Sequence, residues 1–380
     1  MLSKPQQDNL ARTVVGLIAS EGEKNVKGIS DTFIPHKDQS NLNRFITDAK
    51  WDNRELNKRR IELVEDELGL RGSDRCTLVL DDTVVERYGG EGVGYHHDSK
   101  HGLVKGHCYV TEICSCNDAS YPIDLRLYMP EGTSSKPFRS KVDLACELID
   151  EFEPPSRDVT VQFDEWYLCG DVVKHAEDRG FSWISEARSN RVVFYDGEKL
   201  NVSEFLDRMR PFFRDVELDG ELYQCLDVRD GAYMPKIRDA RLLFNCKADS
   251  KDMHNMCSNI KELPTRDLLR RSFERVKIES FHWDIKNVLG FGEYRFRESD
   301  AAIIHSHLVL LTYSLLLIMK KRVEERNEES AASISIGEAC RIVRDRCLVA
   351  ICRWFREMYS AGRSLADVLG LIRPHIRIYK

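Results

Sequence analysis

Between residues 75 and 187 the hydrophobic period of the chain switches in one order, and that order leaves few folds open. CTLVLDDT (76–83), HCYVTEICSC (107–116) and YPIDLRLYM (121–129) are short apolar runs rich in β-branched and aromatic residues, which predicts three strands joined by hairpins. FRSKVDLACELIDEF (138–152) repeats with helical spacing. VTVQFDEW (159–166) returns to a strand pattern, GDVVKHAEDRG (170–180) to a helix and FSWISEA (181–187) to a strand. The order β-β-β-α-β-α-β predicts an α/β (mixed α+β) unit: a mixed sheet flanked by helices.

The flanks read differently. Residues 1–72 carry three amphipathic stripes: Leu10, Val14, Val15, Leu17 and Ile18; Leu42, Phe45 and Ile46; then Leu56, Ile61, Val64 and Leu68, stopped by Gly69 and Gly72. Their charges balance, so this helical region suits a cap on the sheet as well as a small DNA-binding region. Residues 190–261 break the alternation with VVFY, FRDVEL, ELYQCLDV and ARLLFNC around one short helix, a β-rich insertion. The mixed-sheet core of 73–189 resumes over 262–330, and 331–380 form a helical, locally basic C-terminal region. Residues 301–319 are long enough to cross a bilayer. His305, Ser306, His307, Thr312 and Ser314 interrupt them, so they are read as a buried core helix with no membrane partner.

Composition narrows the function classes. With 42% hydrophobic and 32% charged residues the chain can bury a core, which excludes a disordered protein. A formal net charge of −6 argues against a basic coat protein, so nucleic acid would have to meet a local basic surface. The 12 cysteines show no C-x-x-C spacing and the chain opens without an apolar signal run. Reduced thiols and a cytosolic location are expected. His96, His97, His101 and His107 crowd one loop, but no second ligand pair accompanies them; a DNA-touching loop is the favoured reading over zinc. GGEGVG (89–94) lacks the Lys-Ser/Thr of a phosphate-binding loop. Trp166, Trp183 and Trp283 are core residues or base-stacking candidates.

Two acidic motifs end apolar strands: Asp81-Asp82 and Asp164. Carboxylates placed there are costly unless a cation holds them, and two in one sheet would repel until a divalent ion neutralised them. A third acid lies on a helix. In RVKIESFHWDIK, Arg275, Glu279, His282 and Lys286 are spaced i, i+4, i+7 and i+11, which lines them along one stripe. Alone, that stripe is a solvated face laced with ion pairs. Joined to strand-end aspartates, it supplies a metal ligand flanked by phosphate-binding cations.

With these residues the sequence resembles DD-E insertion-sequence transposases with a ribonuclease H-like core, in the Tn-five transposase group. That group's signature is Tyr, two residues, Arg, three residues, Glu, six residues, Lys. Arg275, Glu279 and Lys286 fit the spacing, Phe281-His282 is similar to the family pattern, and Ser272 stands at the Tyr position. DDT (81–83) resembles the first catalytic motif, whose acid before Thr is Asp82; FDEWY (163–167) resembles the second and gives Asp164. The resemblance implies a catalytic triad of Asp82, Asp164 and Glu279 holding two Mg²⁺ ions, with Mn²⁺ able to substitute. It implies DNA contacts from Arg275, His282 and Lys286. Its partners would be double-stranded DNA with terminal inverted repeats and target DNA, held by a homodimer. The alternative is a catalytically silent DNA-binding relative that regulates transposition.

Overall fold

The computed structural model describes residues 2–33, 38–98, 102–250, 252–326, 333–364, 367–368 and 371. Four helices come first: α1 (Lys4–Ala19), α2 (Val26–Asp31), α3 (Gln39–Thr47) and α4 (Asn53–Leu68). Asp52 caps α4 by accepting from the backbone N–H groups of Arg54 and Glu55, and Gly69 closes it at φ 65°. The stripes read from sequence are the buried ones. Leu17, Ile18, Leu42, Phe45 and Ile46 enter one core and Val64 enters a second.

The sheet follows: β1 (Ser73–Glu86), β2 (Gly94–Asp98), β3 (Gly102–Cys116), β4 (Ala119–Tyr128), α5 (Lys141–Glu151), β5 (Ser156–Phe163), α6 (Gly170–Asp178) and β6 (Ser182–Glu186). β3 pairs antiparallel with β1 and β4, while β5 runs parallel to β1, and β6 to β5. The spatial order β4-β3-β1-β5-β6, crossed by α5 and α6, is that of a ribonuclease H-like core. β2 is a strand where the glycine-rich segment suggested only a loop. It pairs with the start of β3, where Gly106 lets the chain pass Val85: a Cβ at Gly106 would lie 2.0 Å from the Val85 carbonyl oxygen.

The β-rich segment holds β7 (Val192–Tyr195), β8 (Glu198–Asn201), α7 (Val202–Met209), β9 (Arg214–Leu218), β10 (Glu221–Val228), β11 (Tyr233–Met234), β12 (Arg238–Asp239), β13 (Arg241–Lys247) and β14 (His254–Ser258). Only part of it stands apart from the core. β7, β8, β11 and β12 make a separate four-stranded sheet, whereas β14, β13, β10 and β9 extend the main sheet beyond β6 to ten strands. The edge of β6 would otherwise leave backbone groups unpaired, and β14 satisfies them antiparallel. Fully buried Arg241 pins this extension through Asp227 at 2.7 Å and the Leu263 carbonyl at 2.7 Å.

The chain returns through α8 (Thr265–Ser272), a tight turn over Phe273–Arg275, α9 (Val276–Asn287), α10 (Ser299–Glu324) and α11 (Ile336–Ser360). Among the described residues α10 is the one helix long and apolar enough to cross a membrane, yet 72% of its most apolar window is buried in the fold. It packs on α1, α3, α4, α9, α11 and β4. Three of the polar residues that interrupt it find partners inside: Ser306 and Thr312 donate to the Ala302 and Leu308 carbonyls, and Ser314 accepts from Arg60.

Candidate active site

β1 divides its side chains between two cores. Leu78 and Leu80 face α5 and α6, and Val79 faces the core shared with α9 and α10. Alternation therefore sends Asp81 and Asp82 to opposite faces. Asp81 follows Val79. The β1–β5 register pairs Val79 with Gln162, and two residues further it sets Asp81 beside Asp164. The β5–β6 register pairs Phe163 with Ser185, and one residue further it sets Asp164 beside Glu186. Continued one residue past the end of β5, these registers align Asp81, Asp164 and Glu186 across neighbouring parallel strands about 4.8 Å apart.

Arg275 meets this row from the turn before α9. Its Nη1 lies 3.7 Å from the Asp81 carboxylate. Its charge also favours the ionised forms of Asp164 and Glu186. One cation does not balance the row. Burial, then Asp164 and Asp82, push the Asp81 carboxyl up to about 7 against the pull of Arg275. Burial, with the Asp82 charge, also raises Asp164, although its Oδ1 accepts from the backbone N–H groups of Trp166 (2.9 Å) and Tyr167 (3.1 Å). Glu186 moves the other way, held low chiefly by His254, whose ring nitrogen is 3.5 Å away.

Asp82 points to the other face. Its Oδ2 is 2.7 Å from the Lys141 ammonium and accepts from the Cys108 thiol at 3.2 Å, and its Oδ1 accepts from the Tyr167 hydroxyl at 3.4 Å. The acid that shares a face with Asp164 and Arg275 is Asp81, whereas the motif resemblance selected Asp82.

The stripe on α9 is divided by the fold. Glu279 is exposed, in the first turn of α9 and four residues beyond Arg275. His282, expected on the DNA side, is instead buried. Ile278, Phe281 and Ile285 carry that side of the helix into the core, and His282 goes with them. Burial and nearby Lys286 lower it to about 3, so it is neutral and has no charge to offer a phosphate. Its Nε2 sits 2.7 Å from the Thr111 hydroxyl, which donates to the Asp81 carbonyl, so it supports the strand under the acid row. Lys286 is half-buried beside it. Ser272, at the signature Tyr position, donates to the Leu269 carbonyl within the helix end. Trp183 is buried in the core, while Trp166 and Trp283 are exposed.

Among the described residues no three His, Cys, Asp or Glu side chains converge closely enough to hold a metal ion. The loop histidines do not gather. His96 is buried near the Gly106 carbonyl, and His107 is buried between the Tyr294 hydroxyl at 2.6 Å and the Glu91 carbonyl at 2.9 Å. His97 is exposed, and His101 lies outside the described residues. The donors that fit a divalent cation are Asp81 and Asp164. They are hard oxygen ligands, and the high proton affinity of Asp81 marks a place where positive charge is missing. A cavity of about 880 Å³ lies elsewhere, between α4, β4 and α10, and contains none of these acids.

The carboxylate row on a ribonuclease H-like sheet defines a class of metal-dependent nucleic-acid enzymes, and the comparisons narrow it. DDE superfamily endonuclease is the family whose description matches residues 2–204, more than half of the chain, and the chain belongs to that family. The fold is similar to that of piggyBac transposase in a cryo-EM synaptic complex with hairpin DNA. The TM-score is 0.55 at 11% identity, covering 100% of this chain and 79% of that one. The Drosophila P element transposase of a strand transfer complex aligns at a TM-score of 0.25 and 11% identity, covering 100% of this chain and 93% of that one, a likeness that carries no weight. No curated protein matches the sequence.

Proposed function

We propose that this protein is a DNA transposase that cuts and joins DNA at the ends of an insertion sequence by two-metal phosphodiester chemistry. The observation that carries the reading is the closeness of Asp81 on β1 to Asp164 just past the end of the adjacent parallel β5, with Arg275 beside them and Glu279 one helical turn beyond. Asp81 and Asp164 would hold Mg²⁺ or Mn²⁺, with Glu279 completing the ligand set, and the ions would supply activation of an attacking oxygen and stabilisation of a leaving oxygen for in-line displacement at phosphorus. Arg275 and Lys286 orient the phosphate at the element's end. Arg275 is suited to this because it is only loosely engaged with Asp81, beyond hydrogen-bond distance. Family membership supports an endonuclease, and the Arg275-Glu279-Lys286 spacing supports the finer assignment to the Tyr-Arg-Glu-Lys transposases. Terminal inverted repeats, target DNA and a homodimer that joins two ends belong to the same reading, as does a location with the chromosome in a prokaryotic cytoplasm.

The absence of a converged three-acid group among the described residues favours one rival, a silent DNA-binding regulator. The test is to incubate the purified chain with duplexes carrying the inverted repeats that flank its gene, with and without Mg²⁺. Metal-dependent strand breaks at the repeat ends are expected. End binding with no breaks in either Mg²⁺ or Mn²⁺ would replace the transposase with the regulator.

A further inference from the structure

Asp82 is not a spare acid on the far side of the sheet. Its carboxylate is only 17% exposed and the Lys141 side chain 16%. An ion pair this enclosed costs desolvation and persists when its geometry is fixed. Lys141 is the first residue of α5, behind the Ser140–Asp143 capping box, so its backbone is set by the helix start. Its ammonium lies over the rings of Trp166 (5.2 Å) and Tyr128 (5.8 Å). Tyr167, fully buried, donates its hydroxyl to Asp82.

The same two aromatic residues hold the other acid. Trp166 and Tyr167 give their backbone N–H groups to Asp164 Oδ1. A continuous path therefore runs from Lys141 to Asp82, through Tyr167 and its neighbour Trp166, to Asp164. Asp82 is also covalently next to Asp81, whose Oδ1 accepts from the Asp82 backbone N–H at 2.8 Å. Both members of the front pair are tied to one assembly behind the sheet.

We propose that Asp82, Lys141 and Tyr167 form a latch that fixes Asp81 and Asp164 relative to each other, so that Asp82 is a positioning residue for divalent-metal binding and not a ligand. The proposal rests on the reading that Asp81 and Asp164 hold the metal. Partners behind the ligands of a metal site commonly change affinity or activity by about 10- to 100-fold when removed.

The test is Mn²⁺ binding to the full chain, followed by the electron paramagnetic resonance of free Mn²⁺, with thermal unfolding as the control. The key variant is Asp82→Asn with Lys141→Met. It removes the ion pair at constant net charge, so neither partner is left as a lone buried charge. The latch predicts an unchanged number of sites, an affinity about 10- to 100-fold weaker and a near-wild-type unfolding temperature. Tyr167→Phe should shift affinity the same way by less, and Lys141→Arg should restore it. Complete loss of the site in the double variant, as in Asp81→Asn, would make Asp82 a ligand and overturn the proposal. Wild-type affinity in the double variant would overturn it as well. If the double variant fails to fold, Tyr167→Phe decides, because it deletes one hydroxyl; unchanged affinity there refutes the latch. Equal Mn²⁺ binding by wild type and Asp81→Asn is a different failure, that of the Asp81–Asp164 reading itself.

Discussion

Asp81→Asn should stabilise the metal-free protein while destroying its chemistry. The carboxyl stands at about 7 in the folded chain against an ordinary 3.8, because it is buried beside Asp164 and Asp82. At 1.36 kcal/mol per tenfold change that displacement is worth about 4 kcal/mol, an upper bound for a side chain that still meets water. The folded state holds more protons than the unfolded state between pH about 4 and 7. Stability therefore falls as pH rises through that window and levels off above about 7. Asparagine cannot ionise, so the variant's advantage should be absent below pH about 4, grow to pH 7, and reach about 2–4 kcal/mol at pH 8. Unfolding entropy of about 2.1 cal/mol/K per residue converts this to an unfolding temperature about 3–5 °C higher. Differential scanning calorimetry in EDTA at pH 4, 6 and 8 reads the effect. An Asp81→Asn variant no more stable than wild type at pH 8, or a gap that stays constant with pH, would refute the uncompensated carboxylate row.

Other outcomes follow from the same geometry. Asp164→Asn and Glu279→Gln should each lower end cleavage by at least about 100-fold in a gel assay while leaving end affinity within a few-fold, because in the proposed reading both supply metal ligands and neither removes core packing. Lys286→Ala should slow cleavage of an end duplex more than the exposed Lys174→Ala does; equal rates would return Lys286 to a structural role beside His282. Lys277 is unsuited as that control, since its ammonium donates to Ser115 at 2.7 Å. DNA affinity should fall steeply with salt despite the net charge of −6, by a log–log slope of about 0.9 per phosphate neutralised; a flat response would contradict a basic contact surface. Mg²⁺ at about 100 times its dissociation constant should stabilise the wild type by about 2.7 kcal/mol and Asp81→Asn by much less, as read from the unfolding temperature.

The core's element order was legible because period is a local property. Strands overlap the predicted 76–83, 107–116, 121–129, 159–166 and 181–187, with helices between them as expected, although β5 stops at Phe163, before Asp164. The choice between Asp81 and Asp82 was not legible, for a physical reason. β1 is buried on both faces, so CTLVL is buried at every position and shows no in–out alternation from which to count. Its parity is set only by what α5, α6, α9 and α10 bring to each face, which is information held far along the chain. The same limit hid Glu186. Nothing in FSWISEA marks its acid, and only the β5–β6 register sets it beside Asp164. The stripe on α9 failed at one position in an instructive way. Arg275, Glu279, His282 and Lys286 share a helical line, but the buried arc of Ile278, Phe281 and Ile285 is wide enough to take in His282. The β-rich insertion was visible as composition but not as topology. Strand pattern announces that an edge will be paired without saying which edge, and β6 was the free edge that β14 took. Sequence thus reported the chemistry available to this site, while the placing of each acid came from strand parity and from which cation reaches it: Arg275 for Asp81, Lys141 for Asp82 and His254 for Glu186.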